Sequence, residues 1–153
     1  MYFSMAEGAK LDSQAAATMI SLYRKNNGLP AVVIDPELMK VAEGQSQAMA
    51  NGNKLDHNVK APLPQRLQAA GYPATLAVEN VSAGYHTLAE AFSGWRDSPP
   101  HRANMLQSGV TKMGIAASYA PNTKYKVFWT LILASTEPHE TPGIRLPSAL
   151  LAN

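Results

Sequence analysis

The sequence contains no cysteine. Disulfide staples and thiolate metal ligands are therefore excluded. Zero cysteine suits a bacterial or a cytosolic chain and does not fix the compartment. No apolar run approaches the ~18 residues of a membrane span, so no transmembrane segment is expected. Charge is sparse: 13 basic and 11 acidic residues make 16% of the chain and a net charge of +2. The Lys and Arg are scattered, which argues against nucleic acid and against an anionic membrane face as partner. The opening residues "MYFSMAEGAK" lack the basic and apolar stretches of a secretory signal. Residues 1–10 are read as an N-terminal extension, compatible with an export signal already removed.

What is present is enough for one packed domain. The chain has 153 residues, 46% of them apolar, which suits a single core of ordinary size. A first helix is expected in "KLDSQAAATMISLYRKNNGLP", capped by Asp12 or Ser13 and stopped at Gly28 and Pro30. A second starts at the Asp35 cap with Pro36 in the favoured first position. Its inner stripe is Leu38, Val41, Ala42, Gln45, Ala48 and Met49, and Gly52 is its expected stop. It delivers the chain to a loop, "KLDHNV", that holds His57. "APLPQRLQAAGY" reads as a short helix ended by Gly71. "ATLAVENVSAGYH" begins like a strand. Thr87 and Glu90 form a capping box for a further helix.

In "DSPPHRANML" two prolines precede a histidine and an arginine. Ser98 reads as an N-cap and Pro99 as the first residue of a new short helix, to about Leu106. "GVTKMGIAASYA" and "KYKVFWTLILAS" are strands joined by the hairpin signal "PNTK". The second is apolar on both faces, which predicts a central strand covered on both sides. Helices followed by covered antiparallel strands predict an α+β fold, an α-β-α sandwich with a small antiparallel sheet between helical layers. The domain is expected over residues 11–136. The proline-containing tail, 137–153, is read as an extended strap or a loose end.

The positions with chemical potential are His57, Glu79, Ser98 and His101. A carboxylate after the apolar "LAV" is costly unless partnered. Two imidazoles and a carboxylate are the protein ligands of one open type of zinc site, so His57, His101 and Glu79 are candidate ligands for zinc or another divalent cation. The prolines would aim His101, and the positive end of the helix would favour its neutral, metal-binding form. The spacings are too long for local pairing, so only the fold can bring the three together.

These residues, in order, resemble a family. "HNV" at His57, "AVENVSAG" around Glu79, Trp95, "SPPHRANML" and the closing "MGIAASYA…FWTLILA" are similar to the bacterial branch of the CAP superfamily. That superfamily includes cysteine-rich secretory proteins, venom allergens and plant pathogenesis-related proteins. The resemblance covers roughly Leu11 to Ala134. It implies the α-β-α sandwich and an exported protein, extracellular or periplasmic. It also implies a cleft of two histidines and two acids that binds a divalent metal in several members. His57 and His101 match the histidines and Glu79 the first acid. The second acid, three residues after the tryptophan, is replaced here by Ser98, with Asp97 next door. Asn80, Asp97, Ser98 and Arg102 are read as cleft or supporting residues.

Each residue also has a plainer reading. The histidines can serve as hydrogen-bonded structural groups, and Glu79 can bond backbone N–H groups. Asn80 suits backbone bridging in a loop. Trp95, Phe128 and Trp129 read as core. Glu79 and His101 are the candidates for any catalysis, but one carboxylate cannot be both ligand and general base. A binding cleft with an extracellular or cell-envelope ligand is thus favoured over a zinc-dependent hydrolase of peptides or cell-wall material. A lipid or sterol carrier is a third reading, and a monomer is expected.

Overall fold

In the computed structural model, residues 11–138 are described, together with the backbone of residues 140, 141, 144 and 145. The expected N-terminal extension and most of the tail lie outside the described residues.

Among the described residues, five helices and a mixed sheet form three layers. Helix α1, Ser13–Asn26, starts where the Asp12 carboxylate accepts the Ala15 N–H at 3.0 Å. Strand β1, Val33–Ile34, leads into α2, Pro36–Gly52, capped by Asp35 with proline in its first turn. Asn53 ends α2 in the left-handed conformation with φ 49°, one residue beyond the expected Gly52 stop. Helix α3, Leu63–Ala69, is followed by β2, Leu76–Ala83. Helix α4, Leu88–Asp97, has the capping box of Thr87 and Glu90 in place. Helix α5, Pro99–Met105, follows after one residue, then the long hairpin of β3, Lys112–Tyr119, and β4, Val127–Ser135. In the tail, β5, Glu140–Thr141, and β6, Ile144–Arg145, pair as a two-stranded hairpin.

The sheet order is β1-β3-β4-β2. Strand β4 is buried along its whole length, as its two apolar faces require. Val127, Trp129, Leu131 and Leu133 pack with Ile20, Ala91 and Trp95 on the side of α1 and α4. The alternating residues Ile132 and Ala134 meet Leu38, Ala42, Leu63 and Leu67 of α2 and α3 on the other face. Trp95, Phe128 and Trp129 are core, each at most 1% exposed.

Two features differ from expectation. The sheet is mixed rather than antiparallel. Val33–Ile34 adds a two-residue strand parallel to β3. The inner stripe of α2 includes Ser46 and Ala50, while Val41 and Ala48 are only partly covered. Ser46 is tolerated there because its hydroxyl bonds Thr130 Oγ1 of β4 at 2.7 Å. Gly114 marks the close approach of α2 to β3. A Cβ there would stand 2.3 Å from the Leu38 carbonyl carbon.

Candidate functional site

The site is built at β2, one edge of the sheet. The N–H of Gly84 bonds Val127 O of β4. Given the register, even-numbered β2 residues turn their backbone groups toward β4, and Ala77, Glu79 and Val81 turn theirs outward. Side chains alternate between faces. Glu79 therefore points to the α3 side and Asn80 to the opposite side, where α5 lies.

Glu79 is almost fully buried and completely engaged. Arg66 of α3 donates Nη1 to Oε2 at 2.9 Å and Nη2 to Oε1 at 2.7 Å. His57 Nδ1 stands 2.8 Å from the same Oε1. Arg66 also donates Nε to Ala61 O and Nη2 to His57 O. One buried guanidinium thus holds the carboxylate, the His57 loop and its own helix in register. A bidentate charge pair of this kind is both strong and geometrically selective. Arg66 went unnoticed in the sequence. Its signal was a charged residue sharing one face of a short helix with Leu63 and Leu67, at spacings of three and one.

A carboxylate accepts, so His57 must carry a proton on Nδ1. In the neutral ring the free lone pair then sits on Nε2. The half-exposed His57 has its pKa raised above 6.5, chiefly by the Glu79 hydrogen bond and against its own burial.

His101 approaches from the other side. Asn80 Nδ2 donates to its carbonyl at 3.0 Å, and Asn104 Nδ2 donates to Asn80 Oδ1 at 2.9 Å and to Glu79 O at 3.1 Å. These bonds tie α5 to β2. Asn80, expected to bridge backbone groups in a loop, instead bonds one backbone carbonyl and the Asn104 side chain, and does so from a buried strand. His101 Nδ1 lies 2.8 Å from Ser98 Oγ. Ser98 therefore holds the N-cap position without a side-chain capping bond; its hydroxyl orients the imidazole instead. The His101 pKa is lowered, first by burial and then by the charge of His57, while the nearby Val81 carbonyl works the other way. The expected neutral ring is thus favoured by burial and by the second histidine, and the helix end is not among the causes.

The fold thus gathers His57, Glu79, Asn80, Ser98 and His101 around one edge. Asp97 and Arg102 do not join them. The exposed Asp97 carboxylate accepts from Arg96 Nε at 3.4 Å, and Arg102 Nη1 donates to Arg96 O at 3.2 Å. Both face solvent because they flank the turn between α4 and α5 on its outer side. No Ser98–His101–Glu79 relay forms, since the Glu79 oxygens go to Arg66 and His57. Among the described residues, no three His, Asp or Glu side chains come together in a set able to hold a metal ion.

A family model described as "Cysteine-rich secretory protein family" matches residues 18–133. The chain is 32% identical over 95 residues to the uncharacterized protein YkwD of Bacillus subtilis, covering 60% of this chain and 37% of that protein. It is 29% identical over 99 residues to the uncharacterized membrane protein YlbC of the same organism, covering 63% of this chain and 29% of that one. It spans well under half the length of these relatives. An extracellular protein containing a SCP domain from Bacillus anthracis superposes with a TM-score of 0.69 at 28% identity, over 79% of this chain and 39% of that chain. An outer surface protein of Borrelia burgdorferi gives 0.74 at 20% identity, over 82% and 93%, which is a likeness of fold. The pairing of the HNV, ENV and SPPHRANML segments at one sheet edge, the matched residues and the shared sandwich lead to one conclusion. This chain, without a single cysteine, belongs to the cysteine-rich secretory protein family.

Proposed function

We propose that the cleft binds one divalent cation, zinc or a similar ion, between Nε2 of His57 and Nε2 of His101. The observation that carries this reading is that both rings are held through Nδ1. Each imidazole is fixed through Nδ1 by a separate partner, Glu79 for His57 and Ser98 Oγ for His101. Fixing the far nitrogen is how proteins preset an imidazole for a metal. The influence of His57 on His101 supports their proximity. Glu79 acts as the orienting carboxylate rather than as a ligand, because both its oxygens are taken. Two imidazoles leave coordination positions open, and a bound cation would supply Lewis acidity there.

The same commitment of Glu79 supports binding over hydrolysis. A carboxylate locked to Arg66 is a poor general base. We read the domain as exported, presenting its cleft to an extracellular or cell-envelope ligand. The similarity to an extracellular protein containing a SCP domain supports that setting. No helix among the described residues is long and apolar enough to cross a membrane. Isothermal titration with zinc tests the site. One equivalent should bind, and His57→Ala and His101→Ala should each abolish it. Zinc uptake by either variant equal to that of the parent would refute the shared site.

A further inference from the structure

Beside the His57 loop, between α2 and α3, lies a pocket of about 420 Å³. That volume is in the range of small-molecule sites. Val41 of α2 and Ala61, Ala69 and Ala70 on the α3 side give it small apolar walls. Its mouth meets solvent: the side chains of Glu37 and Lys40 are 54% and 76% exposed, and Lys60 and Gln65 are exposed as well. Gln45 of α2 also lines the pocket and is fully buried. Its Nε2 donates to Asp56 O at 2.8 Å, which fixes the amide and leaves Oε1 as an acceptor on the other side. Among the described residues Oε1 has no hydrogen-bond partner. A buried acceptor without a donor is rare in a folded chain.

The charge around the mouth favours an anion. Lys40 is offset by Glu37 at 3.9 Å. Lys60 makes no ion pair among the described residues. Its Nζ lies over Gly44, the residue before Gln45, 4.0 Å from the point where a Cβ would stand. Arg66 is a wall of the pocket, but its guanidinium is committed to Glu79, Ala61 O and His57 O. An occupant that matches this lining brings a donor for Gln45, an anion for Lys60 and small apolar groups for the walls. The C-terminal end of a peptide with small side chains carries all three. We propose that this pocket is a second ligand site, separate from the histidine cleft, for such a peptide end. The terminal carboxylate meets Lys60, the last amide N–H meets Gln45 Oε1, and the side chains lie against Val41 and Ala69.

Titration of the metal-free full chain with N-acetyl-Ala-Ala, followed by NMR, tests this. The Gln45 side-chain amide and the backbone amides of Gly44 and Lys60 should shift and saturate together. The same peptide with its C-terminus amidated, and the same peptide methylated on its last amide nitrogen, should each bind about tenfold or more weakly. Lys60→Gln should weaken binding to the same degree, and Lys60→Arg should retain it; both changes are on an exposed side chain and leave the fold intact. No saturable shift at Gln45 would overturn the proposal, and would mean that Oε1 is met by water alone. Equal binding of the amidated peptide, or of the parent peptide to Lys60→Gln, would overturn it as well. So would shifts confined to His57 and His101, because the peptide would then occupy the histidine cleft.

Discussion

At the scale of single residues, Glu79 organises the site through what it accepts. Its carboxylate is paired with Arg66 and also holds the His57 ring. Deleting one member of a buried pair leaves the other charge stranded, at about 3–5 kcal/mol. Arg66→Ala should therefore lower the unfolding free energy by that amount in denaturant titration. A change below about 1 kcal/mol would show that Glu79 finds water or another partner. The pKa values of the two histidines are shifted in opposite directions. In NMR titration His57 should have its midpoint above 6.5 and His101 below it. Because the His57 value is raised on folding, its contribution to stability is full below 6.5 and is lost as pH rises through the folded value. His101 is lowered, so its contribution is full above 6.5 and is lost as pH falls through the folded value. Glu79→Gln should bring the His57 midpoint down. Midpoints in the reverse order would contradict the geometry.

At the scale of elements, α5 is clamped at both ends. Asn80 and Asn104 secure it to β2 at the His101 turn. At its other end the fully buried Arg24 of α1 donates Nη1 to Met105 O and Gln107 O, both at 2.9 Å, and Nε to Pro30 O. Burial lowers the Arg24 pKa. Gly114→Ala should destabilise by about 1–3 kcal/mol, because backbone rather than a movable side chain fills the space beside it. Unchanged thermal stability in that variant would mean that α2 can shift away from β3.

Much of this was legible in the sequence. The Asp35–Pro36 start, the Thr87–Glu90 box and the Ser98–Pro99 start announce helices through local chemistry, and the two-sided apolar pattern of β4 announces its central place. The histidines and Glu79 stand out as polar residues in costly settings. Arg66, Arg24 and Asn104 were not legible, because each partner lies at least 13 residues away in the chain or is a backbone carbonyl set by the fold. The Ser98 hydroxyl does not cap α5, against the expectation from its position, because His101, three residues on, competes for the same oxygen. Strand β1 was missed because two residues carry no period.

At the scale of the molecule, the sandwich serves to bring two loops to one sheet edge. One follows α2 and carries His57; the other is the single-residue turn at Ser98 that opens α5, whose first turn carries His101. The Arg66 and Asn80 networks hold them from opposite faces of β2, so the placement of the two histidines depends on the assembled domain. A cation shared by both rings would stabilise only the folded state and raise the melting temperature with its concentration. Ser98→Ala should weaken binding about 10–100-fold without unfolding the domain, since it frees the His101 ring. The most direct test is an NMR experiment on the imidazole nitrogens during zinc or cadmium titration. One equivalent of metal should shift Nε2 of His57 and Nε2 of His101 together, with Nδ1 of each ring remaining in its present bond. Metal that moves only one ring, or that engages Nδ1, would contradict the account.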